Sequence, residues 1–186
     1  MSKDPVVRRS KHLSLVLRHD PGSVGLTLDA AGWVEVEKLL PAMRFTREQL
    51  DEVVNENNKK RFEFSPDGKM IRASQGHSVD VDLGYEEKTP PARLYHGTSG
   101  DLIDVLMREG LKKMARHHVH LSPDVDTALV VARRRKNPII LEVFAQSMVS
   151  EGHKFYLSTN GVWLTEHVPP GRFDVLVDKP PMPKWR

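Results

Sequence analysis

The 186-residue chain contains no cysteine. That excludes disulfide scaffolds, thiolate zinc sites and cysteine catalysis, and it suits a cytoplasmic protein. Any nucleophile has to come from elsewhere. No apolar run approaches the roughly 18 residues of a membrane span, and the start MSKDPVVRRSKH lacks the apolar stretch of a signal peptide. A soluble, intracellular protein without a membrane partner is expected. Charge of one sign is scarce too: 28 Lys+Arg stand against 25 Asp+Glu, a net +3, which excludes a histone-like polycation. Neither the Walker loop G-x-x-x-x-G-K-[ST] nor the Rossmann fingerprint G-x-G-x-x-G is present. Internal repeats and low-complexity tracts are absent as well.

The hydrophobic content of 39% is enough for one ample core or two small ones. The charge is uneven. Residues 1–90 hold 14 Lys+Arg and 15 Asp+Glu, whereas residues 91–186 hold 14 and 10. The polar, Gly- and Pro-containing segment Asp80–Ala92 reads as an exposed connection. It separates a first domain, 1–84, from a second, 93–186, with a linker at 85–92.

In the first half, Leu13, Val16 and Leu17 fall at helical spacing, giving a helix from Val6 to Arg18 that Asp20-Pro21-Gly22 stops. Val34–Leu40 reads as a short helix. Thr46-Arg47-Glu48-Gln49 has the capping-box pattern before Leu50, Val53 and Val54. Arg61–Phe64 and Lys69–Arg72 flank Ser65-Pro66-Asp67-Gly68 as a β-hairpin. Helices followed by a hairpin suggest a winged helix. In the second half, strands are expected at Leu94-Tyr95, Val119–Leu121, Ile139–Phe144, Phe155–Leu157, Val162–Leu164 and Asp174–Val177. Two helices, Asp101–Glu109 and Asp124–Arg135, interrupt them. The class is α+β, with connections too short for repeated crossovers.

Several residue runs could carry chemistry. Arg18-His19 closes the first helix, where cations complement the dipole; equally, a guanidinium and an imidazole make an anion site. Lys59-Lys60-Arg61 at the foot of the hairpin is either a nucleic-acid backbone contact or a solvated cluster that discourages edge pairing. For His77, in the polar run after the hairpin, the plain reading is buried polar satisfaction in the contact between the domains. Tyr95-His96-Gly97-Thr98-Ser99 reads as a strand running into a small polar loop, suited to ribose or phosphate or simply a turn with His96 satisfied by backbone. His117, His118 and His120 do not make a metal site: only His118 and His120 share a strand face, and no second ligand cluster has zinc spacing. No metal is expected. Arg133-Arg134-Arg135-Lys136 ends a helix, where one or two of these side chains can face a given pocket.

The order of these runs resembles the RNA 2′-phosphotransferase family, also called tRNA 2′-phosphotransferase. The matching runs are Arg18-His19 with Gly25-Leu26 and Leu28-Asp29, Gly32-Trp33-Val34, Lys60-Arg61-Phe62, Ile71–Ser78, Tyr95–Thr98, Val119–Ser122, and Asn160–Leu164 with Val168-Pro169-Pro170. The resemblance implies an N-terminal winged-helix lobe that binds RNA phosphate and a C-terminal ADP-ribosyltransferase-like, strand-rich lobe that binds NAD. The implied partner is RNA carrying a 2′-phosphate, with no obligate protein partner. NAD would be consumed as co-substrate: the internal 2′-phosphate attacks the anomeric carbon of the nicotinamide ribose, releasing nicotinamide and leaving RNA-2′-phospho-ADP-ribose. The ribose 2″-hydroxyl then attacks the phosphate, giving 2′-OH RNA and ADP-ribose 1″,2″-cyclic phosphate.

Residue by residue, the resemblance carries the family's catalytic set onto Arg18, His19, Arg61 and Arg134, with Arg133 or Arg135 as substitutes for the last. Arg18, His19 and Arg61 would also hold the RNA phosphate. The NAD pocket falls on His96, Gly97, Thr98, His120 and Ser122. Apolar Val162 stands where many protein-modifying relatives place a glutamate, and a phosphate monoester, already anionic, needs no base to attack. Two other functions use the same residues. One is ADP-ribosylation of nucleic-acid terminal phosphates; the other is non-enzymatic nucleic-acid binding by the winged helix, against which the slight negative balance of the first half argues.

Overall fold

Asp4 accepts from the amide of Val6 at 2.8 Å and so starts helix α1, Pro5–Arg18, whose buried face is Leu13, Val16 and Leu17. The structure, a computed structural model, describes residues 4–56 and 60–177 and divides into two units, Met1–Tyr85 and Glu86–Arg186. After α1, Asp20 caps a 3-10 turn at Pro21–Val24. Strand β1, Val34–Glu35, leads directly into α2, Val36–Met43. Helix α3, Arg47–Asn55, opens on the expected capping box between Thr46 and Gln49, worth about 1 kcal/mol. Strands β2, Phe62–Phe64, and β3, Met70–Ala73, form the expected hairpin, and β3 lies between β1 and β2 in an antiparallel sheet. One core joins the three helices to this sheet through Leu17, Leu39, Leu50, Phe62 and Ile71.

The second unit begins with β4, Leu94–Ser99, followed by α4, Ile103–Glu109, and β5, Leu111–Lys112. Then come β6, Val119–Leu121, α5, Val125–Ala132, and β7, Pro138–Val143. The chain closes with α6, Ala145–Ser150, β8, Phe155–Leu157, β9, Trp163–Thr165, β10, His167–Val168, and β11, Phe173–Val177. Two three-stranded antiparallel sheets result, in the orders β11-β7-β4 and β6-β9-β8, with β10 and β5 paired separately. Leu94, Leu121, Leu141, Met148, Phe155 and Phe173 form the core shared by the two sheets. On the other face of β4 and β7, Ala128 and Ala132 of α5 pack against Ile140.

Four expectations change. Val34 and Glu35 are strand, because they pair with Ile71 and Met70, and α2 starts only after them. His96–Ser99 is no loop: β4 runs on past the expected Leu94-Tyr95, laddered to β7 from Leu94 opposite Val143 to Ser99 opposite Pro138, and the tertiary ladder overrides the weak strand propensity of Gly and Ser. Helix α5 stops at Ala132, so Arg133–Lys136 lie beyond it. A third helix, α6, interrupts the strands of the second unit. The segment after Tyr85 is tied to β8: Lys88 donates to Phe155 O at 2.8 Å and Glu87 pairs with Lys154 at 3.0 Å. Lys59 lies outside the described residues.

Glycine is required at position 97. A Cβ there would run into Ala128 O and stand 2.7 Å from Ala132 N, so α5 can lie on β4 only where the side chain is missing. Gly97→Ala is expected to cost about 1–3 kcal/mol by overpacking, read as a lower denaturation midpoint; an unchanged midpoint would contradict the close helix-strand contact.

Candidate active site

In the first unit three basic residues are gathered by hydrogen bonds. The end of α1 is closed by its own neighbours, His19 and Asp20 both donating to Leu15 O at 2.9 and 3.0 Å. Arg18 stands in the last turn, where its charge complements the helix dipole. Its Nη2 reaches Arg61 O at 3.4 Å, and its guanidinium stands 6.0 Å from the Phe62 ring centre. Arg61 is held by the same carbonyl, which accepts from Ser74 N at 2.9 Å. The Arg18 carbonyl accepts from Ser78 N at 2.8 Å, and His19 Nδ1 is hydrogen bonded to Ser78 Oγ at 2.9 Å. Arg18, His19 and Arg61 thus share one neighbourhood, fixed from behind by the Ser74–Ser78 turn. His77 of that turn is buried within the unit.

Tyr85 belongs to the same neighbourhood. Its hydroxyl donates to Ser74 O at 2.8 Å, and burial raises its pKa far above the usual phenol range, against the opposing charges of Arg72 and Arg18. It stays a neutral donor at any physiological pH. Arg72, by contrast, has a structural role: it is paired with Glu63 at 2.6 Å, donates to Ala31 O at 3.2 Å and lies 4.4 Å from the Trp33 ring centre.

In the second unit, β4 and β6 are bridged at one residue pair, Tyr95 with Ser122, which exchange hydrogen bonds of 2.9 and 2.7 Å. An antiparallel ladder would repeat this two residues on, joining Gly97 to His120. Instead the His96 imidazole intervenes, its Nδ1 2.9 Å from His120 O. A carbonyl only accepts, so Nδ1 carries the proton and Nε2 of the neutral ring is an acceptor. Burial lowers the His96 pKa, helped by the charges of Arg135 and Arg116 and opposed by the His120 carbonyl. His96 and Thr98 share one face of β4, whereas Gly97 faces α5. By the alternation of the strand, the N–H and C=O of Gly97 point to the side where the ladder with β6 has ended.

Arg133, Arg134 and Arg135 are all exposed, in the turn between α5 and β7. Arg135 bears electrostatically on both His96 and Arg116, and partial desolvation together with Arg135 lowers the pKa of Arg116. Among the described residues neither Arg116 nor Arg135 forms an ion pair with a carboxylate. Both arginines are exposed, so solvent screens much of their mutual repulsion.

The model of the RNA 2′-phosphotransferase, Tpt1/KptA family matches residues 4–167, which hold every candidate site residue. The chain belongs to that family. A "Probable RNA 2′-phosphotransferase" of Streptomyces coelicolor is 49% identical over 174 residues, covering 91% of this chain and 94% of the relative. Proteins of the same name from Rhizobium johnstonii and Rhizobium leguminosarum bv. trifolii are 53% and 54% identical over 165 residues, each covering 86% of this chain and 89% of the relative.

Within this 2′-phosphotransferase family member the sequence-derived residues fall into two sets. Arg18, His19 and Arg61 come together in the first unit; His96, Gly97, Thr98, His120 and Ser122 line adjoining strands of the second, with Arg133–Arg135 on the turn after α5. Tyr85 and Arg116 were missed. Arg116 carries a signal in retrospect, a cation just before the strand of His120, whereas Tyr85 had none because its contact with Ser74 is tertiary.

The neutral His96 has a pH consequence. Its folded pKa lies below the ordinary value of 6.5, so the unfolded chain binds the proton more readily. Its contribution to stability is complete above about 6.5 and is lost as pH falls through the folded pKa. NMR titration should place His96 below 6.5, Arg135→Ala should move it upward, and His96→Asn should flatten the acid limb of the stability profile. Titration at or above 6.5 would contradict the assignment.

Proposed function

We propose that the chain is an NAD-dependent RNA 2′-phosphotransferase, with the first unit a winged-helix lobe that holds RNA phosphate and the second an ADP-ribosyltransferase-like lobe that binds NAD. The observation that carries this reading is the family match over residues 4–167. The element order α1-β1-α2-α3-β2-β3, with β1 beside β3, supports the winged helix. Among the described residues no helix is long and apolar enough to cross a membrane.

The residues of the second unit fit a dinucleotide. Its amide edge can pair with the N–H and C=O of Gly97, its ribose hydroxyls can donate to His96 Nε2 and meet Thr98 and Ser122, and its pyrophosphate answers the uncompensated charge of Arg116 and Arg135. When bound, NAD supplies an electrophilic anomeric carbon with nicotinamide as leaving group. Arg18 and Arg61, with His19, hold the 2′-phosphate dianion and neutralise the charge that opposes its approach to a pyrophosphate. The phosphate is its own nucleophile, so no carboxylate base is needed at Val162. In the second step, through RNA-2′-phospho-ADP-ribose, His19 protonates the departing RNA 2′-oxygen, and Arg134 stabilises the crowded phosphate charge.

Arg18→Ala and Arg61→Ala should melt near the parent protein, because the end of α1 is closed without them, yet lose about 10²–10³-fold in turnover of a 2′-phosphorylated RNA, the scale of a lost transition-state contact. Full turnover in either would overturn the assignment. Among single substitutions in the turn, Arg134→Ala should be the most damaging. A stable ADP-ribosylated RNA end, without cyclic phosphate, would point instead to terminal-phosphate ADP-ribosylation.

A further inference from the structure

The histidine pair His117-His118 takes no part in the site above. Both residues line a cavity of about 380 Å³ at the end of the β6-β9-β8 sheet. The last ladder row there is Val119, Thr165 and Phe155. Beyond it the chain enters β6 through His117 and His118, enters β8 through His153 and Lys154, and leaves β9 at Glu166. Lys113 and Tyr156 complete the wall. None of His96, Gly97, Thr98, His120 or Ser122 lines this cavity.

The chemistry of the wall is rich in donors. Its two ammonium groups are engaged only at the surface: Lys113 stands 3.4 Å from Glu166, whose side chain is 83% exposed, and Lys154 stands 3.0 Å from exposed Glu87. Such exposed pairs contribute little, about 0–1 kcal/mol, and yield to a better anion. Three imidazoles add N–H donors, and burial together with His117 and Lys113 lowers the pKa of His118. His118 and Tyr156 meet edge to face at 5.5 Å, which presents aromatic surface inside the cavity. Cations beside an aromatic wall suit a phosphate attached to a flat ring. The volume lies at the lower end for small-molecule pockets, room for one such unit.

We propose that this cavity binds one nucleotide of the RNA substrate outside the 2′-phosphorylated one, its phosphodiester held by Lys113 and Lys154 and its base laid against Tyr156. The assignment rests on the RNA 2′-phosphotransferase reading. It makes the second unit a contributor to RNA binding, which the family's NAD-pocket residues do not.

The test compares two substrates with the same 2′-phosphorylated nucleotide, a dinucleotide and an oligonucleotide of about twelve residues, long enough to reach a neighbouring subsite. At saturating NAD, Lys113→Ala and Lys154→Ala should each raise KM for the long substrate about tenfold with kcat unchanged, leave the dinucleotide untouched, and reduce the salt slope of the long substrate by about one. Unchanged KM for the long substrate, or equal shifts for both, would overturn the proposal. Fluorescence anisotropy with the unphosphorylated oligonucleotide separates the two levels of inference. Affinity lost in the variants of a protein that turns over neither substrate would refute the phosphotransferase reading and keep the RNA subsite. Displacement of the oligonucleotide by AMP at comparable concentration would overturn the RNA assignment in favour of a free nucleotide.

Discussion

The second unit depends on how β4 divides its hydrogen bonds. Along one edge it is laddered to β7 for its full length; along the other it meets β6 only where Tyr95 and Ser122 exchange their amides. The His96 imidazole takes the His120 carbonyl that the next rung would have used. Two sheets are thereby joined at a single pair and kept apart beyond it, sharing a core on one side while a backbone edge stays open. The histidine is structural and chemical at once: the hydrogen bond that holds the strands also sets its tautomer, and the burial that accompanies it keeps the ring neutral.

The first unit achieves a comparable result with backbone carbonyls. Arg18 O and Arg61 O both accept from the Ser74–Ser78 turn, so two arginines from segments 43 residues apart are referenced to one short stretch of chain. Pre-positioning of this kind lowers the side-chain entropy that engaging a ligand there would cost. Tyr85 closes the arrangement through Ser74 O and, kept protonated by burial, adds no negative charge beside Arg18.

Local signals were legible where the physics is local. The Thr46–Gln49 capping box, the Ser65–Gly68 turn and the stop at Asp20-Pro21 all appear as the sequence indicates. What escaped is set by partners distant in sequence. Val34 and Glu35 look helical until β3 claims them, and His96–Ser99 looks like a loop until β7 does. The candidate site follows the same division. Arg18-His19 and the Tyr95–Thr98 run were visible as residue types in order, but that His96 blocks a ladder and that Gly97 serves α5 are facts of packing. The long cationic run misled for a simple reason: α5 ends at Ala132, so helical rotation does not govern Arg134 or Arg135.

The central claim is that phosphate moves from RNA to the sugar of a dinucleotide, with the substrate supplying the nucleophile that a chain without cysteine does not offer as thiolate. An RNA whose internal 2′-phosphate carries a radioactive phosphorus, incubated with NAD, tests it directly. The account predicts that the label leaves the RNA only when NAD is present and is recovered in ADP-ribose cyclic phosphate, with nicotinamide released in equal amount. Recovery of the label as inorganic phosphate, or its release without NAD, would contradict it.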